Sequence, residues 1–347
     1  MAYRDHIAKT WDRGILSSVL VELGYRCNLD CVICYNDRAE PGVALTRDHY
    51  RQLLEDLAAL QVLTLTLSGG EPLLHPDFWV IGRRARELGF VVRIKSNGLA
   101  LGEVVVRRLR EEIDPFIIEL SLHGATPATH DRQTQVPGSL VRLLANVTTL
   151  QAAGQRLKFN SPLTAWNEGE MPALFALAAS LGVPLSVDTR LTPRDDGDLS
   201  PLELVASLAG TRQVLDLVRA ATAEKTGAET RVEREITAGE SCHHCGAGAA
   251  TLAVDPFGNV YPCVQWRRAI GNLHERSVAE LWHGSRELER VRAVTTAVKQ
   301  QFAAWPEAER PAGFCPALAE QRTGSPLTLD PEVRRRMAAM GMSAAPR

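Results

Sequence analysis

The chain has 347 residues, enough for one large domain with an appendage or for two ordinary domains. A hydrophobic share of 45%, a charged share of 23% and a formal charge of −2 are ordinary globular values and give no electrostatic case for nucleic acid or an anionic membrane as partner. No run approaches the roughly 20 uninterrupted apolar residues of a membrane span, and the opening "MAYRDHIAKTWDRG" lacks an apolar signal core, so a cytoplasmic location is expected. In a reducing compartment seven cysteines read as metal ligands or catalytic groups rather than disulfides, and an odd number cannot all pair with one another.

After an N-terminal segment, residues 1–18, six apolar β-rich runs follow: "SSVLVEL" (17–23), "VLTLTLS" (62–68), "VVRIKS" (91–96), "FIIELSL" (116–122), "RLKFNSPL" (156–163) and "PLSVDTR" (184–190). Between the first two, "TRDHYRQLLEDLAAL" places Tyr50, Leu53, Leu54, Leu57 and Leu60 on one helical face, with Thr46 as N-cap. Similar amphipathic segments lie at 77–88, 103–112, 139–153 and 170–181. Strands buried on both sides and joined by helices imply parallel β/α units, whose site residues sit on loops at the C-terminal strand ends. Six units predict an α/β fold over residues 19–200, either an incomplete barrel or an open doubly wound sheet. The pattern breaks at "LTPRDDGDLSP" (191–201), an expected exposed loop, and a helical connector is expected over 201–234, its helix at about 201–224. Cysteines, glycines and the turn-forming "DPFGN" between "TLAV" and "VYPC" predict a hairpin in a second module at 235–320, with a polar tail over 321–347.

Directly after the first strand, "CNLDCVICY" spaces Cys27, Cys31 and Cys34 as C-x3-C-x2-C. Spacing alone allows a zinc knuckle short of one ligand. It also allows a cubane cluster, in which three cysteines hold three irons and leave the fourth open to an exogenous ligand. At the end of the second strand stands "SGGEP", Ser68 to Pro72. A Gly-Gly pair after a strand is by itself an ordinary tight turn. Together and in this order, the two segments resemble the cluster motif and the GGE segment of the radical S-adenosylmethionine (radical SAM) superfamily.

That resemblance implies a partial (β/α)6 TIM-like barrel, a 4Fe-4S cluster on Cys27, Cys31 and Cys34, and S-adenosylmethionine on its open iron. It implies contacts to the methionyl amine from Gly69, Gly70 and Glu71. By location, contacts to the cofactor's ribose and carboxylate are carried over to Ser96, Asn97, Ser121 and Asn160. "SNG" also reads as a plain turn, and Asp188 and Arg190 also read as a pair with each other. The family's frequent aromatic before the third cysteine is Ile33 in this chain, so an adenine contact there would be aliphatic and backbone. Reductive cleavage of the sulfonium to a 5'-deoxyadenosyl radical, followed by abstraction of a substrate hydrogen, is the chemistry implied.

Four cysteines remain: Cys242, Cys245, Cys263 and Cys315. Structural zinc is one reading, although a zinc ribbon supplies a second C-x2-C after its hairpin and here the next cysteine after Cys263 lies about fifty residues on. Cys245, Gly258 and Cys263 form C-x12-G-x4-C, and with "IGNLHERSVAELWHGS" behind it this is similar to the opening of the SPASM/twitch auxiliary-cluster domain. The dense later cysteines of a full SPASM pattern are missing, and only Cys315 in "GFCPA" follows. The resemblance therefore implies a small α+β module with one auxiliary 4Fe-4S cluster on Cys242, Cys245, Cys263 and Cys315. Cys242 precedes the part that matches; without it the cluster has an iron open to substrate. His243 and His244 are either further ligands or exposed loop histidines.

Enzymes with this appendage mostly modify peptides and proteins, so the expected function is a radical SAM oxidoreductase of the ribosomal-peptide maturase type, giving net oxidation or crosslinking. The alternative is modification of a small molecule or tetrapyrrole in cofactor biosynthesis. A non-catalytic zinc protein is a third reading. Expected partners are a peptide or protein substrate, a separate leader-binding protein or a leader docked on the barrel, and a flavodoxin- or ferredoxin-type electron donor. If all seven cysteines are ligands none is left as a hydrogen donor, which disfavours epimerases that need one. The acidic "PRDDGD", Arg194 to Asp198, reads as a solvated loop or as a contact for a basic substrate. No residue is assigned as general base.

Overall fold

The computed structural model describes residues 3–36, 42–223, 241–306, 309–311 and 313–342. Helix α1 (Tyr3–Asp12) leads into β1 (Ser18–Glu22), and α2 (Arg47–Ala59) returns the chain to β2 (Thr64–Ser68). The same unit repeats through α3 (Phe78–Glu87), β3 (Val91–Ser96), α4 (Glu103–Glu112) and β4 (Ile117–Ser121). Two helices, α5 (Pro127–Thr134) and α6 (Ser139–Ala152), precede β5 (Leu157–Pro162), and α7 (Met171–Ser180) precedes β6 (Leu185–Asp188). All six expected strands and the five expected amphipathic helices are present. Thr46 caps α2 as anticipated, its hydroxyl accepting from the His49 amide while the His49 ring accepts from the Thr46 amide.

Strands β1 to β6 pair in sequence order and in parallel, each with the next. Strands β6 and β1 are not neighbours, so the six strands form a partial barrel that does not close on itself. After α8 (Leu208–Ala223), the expected hairpin forms as β7 (Thr251–Val254) and β8 (Asn259–Tyr261), with β9 (Gly271–Asn272) beyond it. Strand β7 pairs in parallel with β1, while β8 and β9 add antiparallel, so the second module continues the barrel's own nine-stranded sheet. The expected helix behind the hairpin is α9 (Val278–Gly284), followed by α10 (Arg286–Ala303), α11 (Pro316–Thr323) and α12 (Pro331–Ala339). The expected connector lies in the described residues only up to 223, where a short 3-10 turn (Ser200–Leu204) precedes α8.

Two expectations change. The strands are not apolar on both faces. Val19, Val21, Leu65, Leu67, Val92, Ile94, Ile118, Leu120 and Phe159 are all at most 2% exposed and form the core with the helices. The alternate residues, among them Glu22, Thr66, Arg93, Lys95, Glu119, Ser121, Lys158 and Asn160, carry polar groups on the other face. The strands alternate because their inner face surrounds a site rather than a second core layer. Nor is residues 321–347 simply a polar tail: Val333 and Met337, four residues apart on α12, are buried against Val298, Phe302 and Phe314. The three arginines between them hide that face from a reading of composition.

Candidate functional site

The loop after β1 carries Cys27, Cys31 and Cys34, all half-buried and free of disulfides. A tight turn, with the Cys34 amide donating to Cys31 O (3.1 Å), folds the last two thiols together. The loop is pinned from outside: the amides of Asp30 and Val32 donate to Thr134 O and Gln133 O at the end of α5 (3.0 Å each). Arg194, in the expected solvated loop, donates instead to Cys34 O (3.0 Å) and Val32 O (3.3 Å). The Leu29 amide and the Asn97 side-chain amide both point at Cys27 Sγ, at 3.4 and 3.5 Å. Donors aimed at sulfur suit a thiolate ligand.

The Gly-Gly step lies against this loop. A Cβ on Gly69 (φ +122°) would meet Gly24 O, and one on Gly70 would stand 2.5 Å from Arg26 O. The Gly70 amide donates to Gly24 O (2.7 Å) and that of Glu71 to Arg26 O (2.9 Å), so the two backbones run in contact up to Cys27. The Glu71 carboxylate turns inward, 2% exposed, and accepts from Ser96 Oγ (3.0 Å to each oxygen), the Asn97 amide (2.8 Å) and the Leu73 amide (3.3 Å). Burial outweighs these donors and raises its pKa to about 7. Glu71, Ser96 and Asn97 are thus one hydrogen-bonded group beside Cys27, and Asn97 also reaches Asn28 Oδ1 (2.6 Å).

Ser121 and Asn160 are register partners at the C-terminal ends of β4 and β5, on the inner face. Asn160 donates to Glu119 (2.8 Å), which also meets Lys95 (3.4 Å) and Arg93. Burial opposes the Glu119 charge, but Lys95, Arg93 and Asn160 prevail and hold its pKa at about 2. Asp188 and Arg190 pair with each other at 3.0 Å.

In the second module Cys245, Cys263 and Cys315 pack around Ala247, Trp266, Val291 and Ala317. Burial and the neighbouring Cys315 push the Cys263 thiol up to about 12. Buried thiols of this kind become thiolates when a metal centre binds them. Cys242, three residues before Cys245, is exposed, and its thiol and amide donate to Asp12 of α1 (3.2 and 2.9 Å). His243 meets Thr295 Oγ1 (2.8 Å), and His244 bonds Phe314 O (2.9 Å), the carbonyl before Cys315. Among the described residues no three His, Cys, Asp or Glu side chains are set to hold a single metal ion. A cubane, wider than an ion, takes thiolates that do not converge on one point, and cysteine thiols are the donor set that holds it.

Sheet direction separates the two groups. Cys27 to Cys34 follow the end of β1, whereas Cys245 precedes β7 and Cys263 follows β8, at the level where β1 begins. The two ends of β1 themselves lie about one strand length apart, roughly 13–17 Å for four to five residues. Arg267, four residues after Cys263, reaches the far end of β1: its guanidinium meets Glu22 at 3.1 Å and Asp195 at 2.7 Å. Sequence reasoning missed this triad, and no local signal marks three residues so far apart in the chain.

Fold and cysteine geometry together define a class, a SAM-dependent iron-sulfur protein with an appended cluster module. Comparison agrees: the radical SAM superfamily profile matches residues 21–178, and that of the SPASM iron-sulfur cluster-binding domain matches 230–308. The chain belongs to the radical SAM superfamily and carries a C-terminal SPASM domain; it is an iron-sulfur enzyme whose cofactors are S-adenosylmethionine and 4Fe-4S clusters. It is 28% identical to the AdoMet-dependent heme synthase of Methanosarcina barkeri, over 78% of this chain and 83% of that one. It is 30% identical to the mycofactocin maturase MftC of Mycobacterium ulcerans (70% of this chain, 66% of that one) and 28% identical to the PqqA peptide cyclase of Xanthomonas campestris (94% and 89%). In fold it resembles Streptococcus suis SuiB, solved with its precursor peptide SuiA, with a TM-score of 0.69 at 16% identity over 95% of this chain and 79% of that one. Among the described residues no helix is long and apolar enough to cross a membrane.

Proposed function

We propose that the protein abstracts a hydrogen atom from a peptide or protein substrate and leaves it oxidised or crosslinked. The barrel (19–200) would hold the SAM-binding cluster on Cys27, Cys31 and Cys34, and the auxiliary module (235–320) a second cluster on Cys245, Cys263 and Cys315. Cys242 would join it only by leaving Asp12; otherwise one iron stays open to substrate. The SAM-bound cluster supplies reductive cleavage of the sulfonium, and with it the hydrogen-abstracting radical. The chain's own part is to shape the seat. Glu71 fixes Ser96 and Asn97 beside Cys27, and the glycines bring the second loop into backbone contact with the first. Ser121 and Asn160 face the interior, where a cofactor and a substrate would meet. Electrons would come from a flavodoxin- or ferredoxin-type donor, and a leader peptide, where the substrate has one, would dock on the barrel or on a separate protein.

The observation that carries this reading is the pair of three-thiol groups at opposite ends of β1 in one sheet. The names of two relatives, a maturase and a peptide cyclase, favour a peptide as substrate. A second reading, modification of a tetrapyrrole, draws on the heme synthase relative and on Arg93, Lys95 and Lys158 along the inner face, which suit propionate carboxylates. Anaerobically reconstituted enzyme with SAM and reductant, given candidate peptides encoded beside its gene in one arm and a porphyrin in the other, decides between them. Loss of two hydrogens per modified peptide is the expected result. Unchanged peptides together with a modified porphyrin would replace the first reading by the second.

A further inference from the structure

Arg267 follows Cys263 by four residues, yet its side chain leaves the second module and ends between the end of β1 and the loop after β6. One guanidinium serves two carboxylates: Nη2 bonds both oxygens of Glu22 (3.2 and 3.1 Å), the last residue of β1, and Nε bonds Asp195 Oδ1 (2.8 Å) on the loop after β6. Glu22 is fully buried. Residues 22, 195 and 267 therefore link the C-terminal end of β1 and the second module to the loop that follows β6, a free edge strand of the sheet.

The contacts continue to both cysteine groups. Tyr35 and Tyr25 donate their hydroxyls to Glu22 (2.8 and 3.1 Å), and the Asp195 amide donates to Tyr35 O (2.8 Å). Arg194, next to Asp195, holds the carbonyls of Val32 and Cys34. The Arg267 guanidinium lies over Tyr35 at 5.6 Å and over Tyr261 at 5.1 Å. Each tyrosine stands within two residues of a cysteine: Tyr25 before Cys27, Tyr35 after Cys34, Tyr261 before Cys263. Buried ion pairs are weak sources of net stability but strong constraints on geometry, and a fork that meets two carboxylates at once is a property of arginine and not of lysine.

We propose that Arg267 is a positioning residue that fixes the segment carrying Cys263 against the loop carrying Cys27, Cys31 and Cys34, so that the two cysteine groups move as one body. It needs no cluster to act; only its consequence for the clusters rests on the function proposed above. Without the guanidinium, the buried Glu22 charge keeps its tyrosine donors but loses its counter-ion, and both segments lose their common anchor.

Hydrogen exchange of the apoprotein tests the brace directly. Arg267→Gln should speed amide exchange by about tenfold or more in residues 27–36 and 263–268 together, and Arg267→Lys should fall between it and wild type. Arg83→Gln, which breaks an ion pair with Glu112 on the outer helices, should speed neither segment. Wild-type exchange in either segment of Arg267→Gln, or equal speeding by Arg83→Gln, would overturn the proposal. Should Arg267→Gln fail to fold, Asp195→Asn, which leaves the Glu22 contact intact, is read by the same two criteria. In reconstituted enzyme, Arg267→Gln should keep about eight irons and change the electron-spin relaxation between the two reduced clusters; unchanged relaxation at full iron content also overturns it. A wild-type chain that takes up no second cluster would sink the functional reading instead, and the exchange experiment would still decide this one.

Discussion

Cys27, Cys31 and Cys34 stand on one loop within eight residues, while Cys245, Cys263 and Cys315 come from a turn before β7, a turn after β8 and the cap of α11. In the first region covalent spacing and one Cys34 to Cys31 turn bring the thiols together. In the second, packing does it: His244 ties the Cys245 turn to Phe314 O, and Arg336 ties α12 to Gly313 O, two residues before Cys315. A centre assembled locally tolerates disturbance elsewhere in the fold. A centre assembled by tertiary contacts is only as well formed as the most distant of them.

The largest effect comes from the cysteines. Cys27→Ala should abolish 5'-deoxyadenosine formation from SAM and reductant, because the remaining two thiols cannot hold three irons. Cys263→Ala should lose about four of eight irons yet still form 5'-deoxyadenosine, released without modified product. Iron content and nucleoside yield, measured on both variants, check the contrast. Equal loss of nucleoside in the two would mean that the centres do not form independently.

Next comes Met337→Ala, far from every cysteine in sequence. Met337 is fully buried on α12 with Val333 and Phe314, and truncating such a side chain costs about 2–5 kcal/mol. Urea unfolding of the apoprotein measures that cost. In reconstituted protein, the second centre should lose iron under mild urea before the first does. Simultaneous loss would erase the distinction drawn between the two regions.

The first region has its own sensitivity, to pH. Glu71 has a folded pKa of about 7 against an ordinary 4.5, so the folded chain holds the proton more tightly than the unfolded one. Its contribution to stability is complete below about pH 4.5 and is lost as pH rises through 7, an effect of at most about 3 kcal/mol. Urea midpoints of the apoprotein between pH 5 and 8 should fall with rising pH. Glu71→Ala should flatten that slope, costing about 1–3 kcal/mol at pH 8, where the Asn97 amide and Ser96 hydroxyl are left without an acceptor, and more at pH 5, where the pH-dependent contribution is lost as well. A slope that survives the substitution would assign it to another group.

How much of this was legible in the sequence follows the same division between local and assembled. The six strands and five amphipathic helices have strong periods, and Cys27 to Cys34 and "SGGEP" are contiguous, so all could be placed by reading along the chain. Helix α5, "PATHDRQT", was not legible, because the side chains it buries are His130, Gln133 and Thr134 and leave no apolar stripe. Its value is in backbone carbonyls offered to the cysteine loop, which composition does not encode. The inward turn of Glu71 and the packing of Cys315 depend on what the fold brings opposite them. Arg267, Glu22 and Asp195 are the extreme case: none shows its ion-pair partner in its own neighbourhood of sequence, and each acquires its meaning only where the fold brings the three together.

Despite their different construction the two regions share a core, and a matched pair of helix caps tests whether they unfold as one. Leu53, Leu54 and Leu57 of α2 belong to the same buried cluster as Val278, Leu281 and Trp282 of α9, and the two helices pack together. Both begin with a capping box: Thr46 accepts from the His49 amide at 3.3 Å, and Ser277 from the Glu280 amide at 3.3 Å. Removing either hydroxyl costs about 1 kcal/mol. If sheet and core make one cooperative unit, Thr46→Ala and Ser277→Ala should each lower the same single urea transition of the apoprotein by a similar amount, seen alike by tryptophan fluorescence and circular dichroism. Three of the six tryptophans, Trp266, Trp282 and Trp305, lie in the second module, so fluorescence weights that module more heavily than the helical signal does. A Ser277→Ala variant whose fluorescence transition moves while its circular dichroism transition stays would show a module that melts alone. The auxiliary cysteines would then rest on a separately folding unit, in spite of the strand it lends to the barrel's sheet.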